Sequence, residues 1–301
     1  MQNLGFGIFH TTIERNRDVF YKIADCDYVN SIIIECDYRS EEFKETFSAL
    51  MERPDKQAWI SVTTLGFRTT AVTSVADIGE DKGAFNPVTE MLDEYRENID
   101  RFISFIKEKG WYGKITGFYM DEPMLWNITN DQLEAFTGYF RTVAAADKRF
   151  FICFSVAEVA PEYWTINDIR PITPKSVQHL TDIAFDMYHP WSDEYRQITD
   201  IMLERAGNRS DLKLWFIPCT MDYRGDKTEQ HCLDHLDGCL TALRQSQNPG
   251  GLMCFTYYTF KPEEEALGNV GLDKLTDPSY KKHWRRLEER IKQIGKELVS
   301  G

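Results

Sequence analysis

Short apolar runs alternate along the chain with longer segments in which apolar residues recur every three or four positions. Runs such as 32–34 and 150–154 are continuously apolar and rich in Ile and Phe, which is typical of parallel strands covered on both faces. The pattern predicts eight strands, over residues 4–10, 29–37, 58–64, 114–122, 150–158, 182–189, 213–219 and 251–260.

The longer segments have the spacing of amphipathic helices. Residues 87–109 carry apolar side chains mostly three or four positions apart and are predicted to be helical. The same spacing runs through the last segment, at Tyr280, Trp284, Leu287, Ile291, Ile294 and Leu298. Thr129 and Gln132 predict a capping box, and Ser40 and Ser192 are predicted N-caps.

Eight strands, each followed by a helix or a segment of helical length, predict an α/β protein with a (β/α)8 barrel, the TIM-barrel architecture. We expect one domain over residues 1–301, because no repeat, low-complexity tract or linker divides the chain. An open doubly wound sheet is the alternative. The first strand is not followed by a Gly-x-Gly-x-x-Gly motif, which disfavours that alternative.

Composition and charge narrow the classes of partner. The 301 residues carry a net charge of −13, which argues against nucleic acid and anionic membranes, since both require a basic surface. Seven cysteines without a Cys-x-x-Cys motif predict reduced, buried thiols rather than a disulfide framework. The first residues lack the basic start of a signal peptide. We therefore expect a cytoplasmic protein. We also expect no cofactor, and the oligomeric state stays open.

In a (β/α)8 barrel the chemistry lies at the C-terminal ends of the strands. Five of the eight predicted strands end in a carboxylate or an imidazole, which the stability of a barrel does not require. These side chains are His10, Glu35, Asp37, Asp121, Glu122, Glu158, Asp186 and His189.

The most informative of these ends is Asp121-Glu122-Pro123, after the fourth predicted strand. Alternation places Tyr119 and Asp121 on one face of the strand and Glu122 on the other. Two adjacent carboxylates at the end of a buried strand repel each other and are partly desolvated, so the pKa of at least one is expected to rise. A carboxylic acid that stays protonated near neutral pH is what a glycosidase uses to protonate a leaving oxygen.

Three segments make the chain resemble a glycoside-hydrolase-type barrel: 117–123, 185–190 and 251–258. In the clan A glycosidases that it resembles, a Glu that serves as acid/base ends the fourth strand after an Asn. Glu122 matches that Glu, and Asp121 stands in place of the Asn. Those enzymes also carry a nucleophilic Glu at the end of the seventh strand, where this sequence has Cys219 and no carboxylate.

The Asp121-Glu122 pair is also similar to the pair found in hexosaminidases of glycoside hydrolase families 20 and 123. That resemblance implies that Glu122 is the acid and that Asp121 orients the 2-acetamido group of the substrate, which then acts as the nucleophile. Asp186 is the preferred second carboxylate if the protein uses one of its own.

Further side chains at the strand ends are candidates for binding a glycoside or an oligosaccharide. Polar groups would hold sugar hydroxyls, and aromatic rings would stack on the apolar face of a sugar ring. The candidate binding residues are His10, Glu35, Asp37, Trp126, Tyr188, His189, Trp191 and Tyr257. A salt bridge to Arg39 or Arg68 is the alternative role for Glu35 and Asp37.

The sequence thus predicts a hydrolase of carbohydrate metabolism, a glycosidase without a metal, and leaves three alternatives open. Glu35, Glu122, Asp186 and His189 could surround a divalent ion in an isomerase or lyase barrel. An acid in an aromatic pocket could protonate an olefin and hold a carbocation in a substrate that is not a sugar. The barrel could also bind carbohydrate without turnover.

Overall fold

The computed structural model describes residues 4–8, 17–34, 37–71, 87–161, 169–188, 193–223, 225–255 and 268–300. The strands in chain order are β1 (Gly5–Ile8), β2 (Ser31–Ile34), β3 (Gln57–Ser61), β4 (Phe67–Ala71), β5 (Val88–Met91), β6 (Ile115–Asp121), β7 (Arg149–Ser155), β8 (Asp182–Asp186), β9 (Lys213–Phe216) and β10 (Pro249–Cys254). Eight of them close into a barrel in the order β1-β10-β9-β8-β7-β6-β3-β2. The predicted (β/α)8 fold is confirmed, and β6 is the fourth barrel strand.

The helices of the described residues are α1 (Arg17–Ala24), α2 (Glu41–Met51), α3 (Thr63–Gly66), α4 (Tyr95–Glu108), α5 (Asn130–Val143), α6 (Val156–Val159), α7 (Asp193–Arg205), α8 (Glu229–Gln245), α9 (Leu272–Leu275) and α10 (Arg285–Val299). Two predicted caps are confirmed. The Ser40 hydroxyl accepts the Phe43 N–H, and Thr129 and Gln132 form a reciprocal capping box at the start of α5. Ser192 lies outside the described residues.

The prediction of one helix over residues 87–109 is wrong at its beginning. Val88–Met91 forms β5, which pairs antiparallel with β4 in a separate two-stranded sheet. The backbone hydrogen bonds of this pairing outweigh the local helical spacing, because tertiary partners routinely override a helical pattern. The helix itself begins only at Tyr95.

Several other predicted elements also have different bounds in the structure: the strand predicted over 58–64, for example, ends at Ser61, and Thr63 begins α3. The strand predicted over 150–158 ends at Ser155, where the backbone turns into α6. The last helix begins at Arg285 and not near Tyr280, because Asp277 forms a turn with Ser279 and the Trp284 N–H donates to the Leu275 carbonyl. The last two differences lie at ends of elements, where local side-chain to backbone hydrogen bonds decide the path.

The chain divides into two compact units, and each has its own packing. In the unit of Met1–Ile60, Tyr188–Trp191 and Leu214–Gly301, the rings of Trp59 and Trp215 meet edge to face at 5.8 Å. In the unit of Ser61–Met187 and Ser192–Lys213, Phe118 packs against Phe140 at 4.6 Å. A single domain over residues 1–301 stays a prediction.

Two further expectations concern cysteines and membrane segments. Six of the seven cysteines fall in the described residues as free thiols, five of them buried, which confirms the prediction for these six. Among the helices that the structure describes, none combines the length and the apolar character needed to cross a bilayer.

Candidate active site

The end of β6 separates two kinds of side chain. Phe118 faces the helical layer, where it contacts Phe102 of α4 and Phe140 of α5. Tyr119 points the opposite way, is fully buried, and packs against Phe151 at 5.3 Å. Its hydroxyl donates to Oδ1 of Asp121 at 2.6 Å, so the predicted sharing of one face by Tyr119 and Asp121 is confirmed. Asp121 is thereby fixed in orientation at the end of the strand.

Glu122 interrupts the alternation of the strand. Its φ of 40° lies in the left-handed region, which costs a residue with a side chain on the order of 1–2 kcal/mol. Its N–H donates to the Cys153 carbonyl at 2.8 Å, and its own carbonyl accepts the Trp126 N–H at 3.2 Å. The residue is therefore held by the neighbouring strand on one side and by the following turn on the other.

The register of β6, β7 and β8 brings three carboxylates to neighbouring positions. Asp121 lies opposite Cys153, and Ser155, two residues further along β7, lies opposite Asp186. Asp186 ends β8 as Asp121 ends β6, and both are partly exposed. The structure thus places the three predicted catalytic residues Asp121, Glu122 and Asp186 together.

These surroundings change the acidity of Glu122. Burial of its carboxyl group raises its pKa well above the ordinary value of 4.5, and the negative charges of Asp186 and Asp121 raise it further, with a smaller effect of Glu158 once Glu158 has ionised. A hydrogen bond from the Ser155 hydroxyl favours the charged form and opposes these effects. The balance is a Glu122 carboxyl group that holds its proton to higher pH than an exposed glutamate does.

Glu158 belongs to the same cluster and is absent from the residues predicted as catalytic or binding. Its side chain is fully buried, and its oxygens accept the backbone N–H groups of Met124, Leu125 and Ser155. Burial raises the pKa of Glu158 to about 8, against the lowering effect of these hydrogen bonds. The sequence signal that could have located it is Ser155-x-x-Glu158, the spacing of a capping box.

Cys153 lies amid these acids and was also missed by the sequence analysis. Its thiol is fully buried, and desolvation together with the charges of Asp186 and Asp121 raises its pKa well above the ordinary value. A thiol that stays protonated is a poor nucleophile and a poor metal ligand. Cys153 is therefore a small, neutral spacer between the carboxylates.

The predicted binding residues have different surroundings. Trp126 lies partly buried in the turn after Glu122, and Tyr188 stacks on Phe255 at 5.0 Å with an interplanar angle of 15°. Asp37 is exposed and forms an ion pair with Arg39 at 2.8 Å, the alternative role considered for it. The remaining candidates lie outside the described residues, and binding roles stay predictions for His10, Glu35, His189, Trp191 and Tyr257.

The acids do not form a metal site by themselves. Within the part of the chain that the structure describes, no three His, Cys, Asp or Glu side chains have an arrangement that could hold a metal ion. Glu35 and His189, two of the four ligands considered for a divalent ion, are outside that part.

Comparison with known proteins gives similarity at the level of the fold. No family model and no curated protein matches the chain. The spore cortex-lytic enzyme SleL of Bacillus cereus superposes with a TM-score of 0.52 and 9% identity, covering 95% of this chain and 74% of SleL. The chitinase ChiC of Aspergillus fumigatus gives 0.52 and 11%, covering 85% of this chain and 92% of ChiC.

A third solved structure is the β-glucuronidase of Ruminococcus gnavus in complex with uronic deoxynojirimycin. It superposes with a TM-score of 0.53 and 10% identity over 96% of this chain, which spans about half of that enzyme (49%). At such identities the likeness establishes the barrel architecture, in agreement with the strand order. The activity has to be argued from the site.

Proposed function

We propose that this protein is a glycoside hydrolase-like enzyme that cleaves a glycosidic bond with Glu122 as general acid/base. The observation that carries the proposal is the carboxyl group of Glu122, held at the C-terminal end of a barrel strand with a raised pKa. Catalysis of glycoside cleavage requires such a group, because the leaving oxygen must be protonated as its bond to the sugar breaks.

The groups around Glu122 fit that role. Desolvation and the charges of Asp186 and Asp121 keep the proton on Glu122, and the Ser155 hydroxyl supports the carboxylate after the proton has left. An acid that later acts as a base needs both conditions, since the same group first donates and then accepts a proton. The names of the similar barrels, a chitinase and a β-glucuronidase among them, favour a carbohydrate substrate.

Two routes can supply the group that acts at the anomeric carbon while Glu122 protonates the leaving oxygen. Asp186 can serve as the protein's own second carboxylate, across β7 from Glu122. Asp121, fixed by the Tyr119 hydroxyl, can orient a 2-acetamido group of the substrate that attacks in place of a protein nucleophile. Asp186 raises the pKa of Glu122 more than Asp121 does, so both charges act on the same acid.

The proposed substrate is a small glycoside or an oligosaccharide met in the cytoplasm, with neither nucleic acid nor a membrane as a partner and no cofactor. Trp126 and Tyr188, with Trp191 and Tyr257, are proposed to stack on sugar rings. His10, Glu35, Asp37 and His189 are proposed to hold hydroxyl groups. The free cysteines and the net charge of −13 support this setting.

The substitution Glu122→Gln tests the proposal, because it keeps the shape of the side chain and removes its proton. We expect kcat on an alkyl glycoside to fall by about 10²- to 10⁴-fold. The loss should be much smaller for a 2,4-dinitrophenyl glycoside, whose leaving group needs little protonation. The measurement is turnover of matched alkyl and dinitrophenyl glycosides of glucose, N-acetylglucosamine and glucuronic acid.

Glu42→Gln is the matched control, since it makes the same change on an exposed residue of α2 and should leave both rates unaltered. Equal losses for the two leaving groups would rule out proton donation by Glu122. Full activity of Glu122→Gln on both classes would overturn the proposed function.

A further inference from the structure

We infer that Glu158 is a positioning residue that holds the turn after Glu122 and thereby fixes where the Glu122 carboxyl group stands. The inference rests on the proposed function, because it gives the acid of that reaction its support. Glu158 itself is fully buried in α6, so it is out of reach of a substrate and acts through the backbone.

The hydrogen bonds of Glu158 join two separate parts of the chain. Oε1 accepts the N–H groups of Met124 and Leu125, the latter at 2.8 Å, and both belong to the turn that follows β6. Oε2 accepts the N–H of Ser155, the last residue of β7. One side chain therefore ties the turn to the end of the neighbouring strand.

Capping of α6 accounts for only one of these bonds. A cap requires the bond to Ser155, and an exposed side chain could supply it at no cost of burial. The two bonds to Met124 and Leu125 do not stabilise α6. The chain nevertheless buries a carboxyl group to form them, which is unfavourable unless these bonds stabilise another part of the fold. What they hold is the turn that begins at Glu122.

The turn transmits this constraint to the acid. The carbonyl of Glu122 accepts the Trp126 N–H, so the backbone of Glu122 closes the same turn whose amides Glu158 holds. Ser155, held by Glu158 through its N–H, donates its hydroxyl to the Glu122 carboxyl group. Because Glu122 has a left-handed φ, it keeps that conformation only while its surroundings enforce it.

Two substitutions grade the loss of these bonds. Glu158→Gln keeps an oxygen for Met124 and Leu125 but presents an NH2 group to Ser155, whereas Glu158→Ala removes all three bonds. With a 4-nitrophenyl glycoside that the wild type hydrolyses, we expect kcat of Glu158→Ala to fall by about 10- to 100-fold, since small displacements of a catalytic group have effects of this size. KM should change by less than about threefold, because substrate contacts remain, and Glu158→Gln should recover most of the rate.

The position of the turn can be measured without any substrate. Amide hydrogen exchange followed by NMR should show the Met124 and Leu125 amides exchanging about tenfold faster or more in Glu158→Ala, and the Ser155 amide alone exchanging faster in Glu158→Gln, with the amides of Phe118 and Tyr119 unchanged in both. Glu134→Ala is the matched control, a partly buried glutamate of α5 whose loss should alter neither kcat nor these amides.

The outcomes distinguish the positioning role of Glu158 from the proposed function of the protein. Unchanged exchange at Met124 and Leu125 in Glu158→Ala would overturn the positioning role, as would an unchanged kcat in a folded Glu158→Ala. If Glu122→Gln keeps full activity, the proposed function fails, and the exchange measurement then decides alone whether Glu158 holds the turn. If Glu158→Ala does not fold, Glu158→Gln provides the test, because unchanged exchange of its Ser155 amide would overturn the positioning role.

Discussion

The pKa values of Glu122 and Glu158 are both raised by burial, but different hydrogen bonds oppose the rise. Around Glu122 the largest effects are burial and the negative charges of Asp186 and Asp121, opposed by one hydroxyl. Around Glu158 burial acts against three backbone N–H groups, which favour the charged form. Glu122 is partly exposed, whereas Glu158 is fully buried. Of the two, only Glu122 is therefore suited to exchange a proton with a substrate.

The raised pKa of Glu158 predicts how stability depends on pH. The folded pKa of about 8 lies above the ordinary 4.5, so its contribution to stability is complete below about pH 4.5 and is lost as the pH rises through 8. The unfolding free energy of Glu158→Gln should therefore fall less between pH 5 and pH 8.5 than that of the wild type, by at most about 5 kcal/mol. Urea unfolding at the two pH values measures this difference, and Glu42→Gln should retain the wild-type slope. Identical slopes for Glu158→Gln and the wild type would contradict a raised pKa at Glu158.

At the scale of elements, the N-cap of α5 makes a measurable contribution to the free energy of unfolding. Thr129→Ala removes the hydroxyl that accepts the Gln132 N–H and breaks the reciprocal pair. We expect the free energy of unfolding to fall by about 0.5–2 kcal/mol, the usual effect of losing an N-cap. Thr142→Ala, an exposed threonine near the other end of α5, is the control and should change stability little. A chemical denaturation curve for each variant distinguishes them, and equal midpoints would show that the cap contributes nothing.

The elements also show what a sequence pattern can and cannot give. The barrel strands are predictable because both of their faces are covered, which requires continuous apolar runs such as that of β7. The C-terminal ends of the strands are not predictable in this way. The strand β7 ends at Ser155, whose N–H donates to Glu158, and the apolar pattern does not contain that bond. The pairing of β5 with β4 was missed for a related reason, since its partner lies about 20 residues away and not in the local spacing.

At the scale of the whole molecule, the barrel depends on glycines at positions where a side chain would not fit. Gly5 and Gly251 are opposite each other in β1 and β10, and a Cβ on Gly251 would overlap the carbonyl of Gly5 and the ring of Trp215. Because a backbone atom cannot move aside, Gly251→Ala should destabilise the protein by about 1–3 kcal/mol or more. Gly113→Ala is the control, since nothing lies near its Cβ position. Thermal unfolding compares the two, and similar melting temperatures would disprove the steric conflict.

The candidate site could be predicted in part at this scale. Asp121, Glu122 and Asp186 were found because a barrel gathers the C-terminal ends of its strands, whatever its sequence. The supporting roles of Tyr119, Ser155 and Glu158 were not predicted, because they follow from the register between β6, β7 and β8 and from single hydrogen bonds. The barrel thus makes the place of the site predictable, while the groups that tune the pKa of Glu122 are known only from the structure.

The left-handed backbone of Glu122 has a consequence for how such a sequence can change over time. A residue that strains the backbone and keeps a carboxyl group among like charges opposes folding twice at one position. Selection for a sturdier protein alone would favour its replacement, and selection for chemistry alone would retain it. Under the proposed function, stability and activity are therefore in conflict at Glu122, and the rest of the barrel must be stable enough to tolerate it.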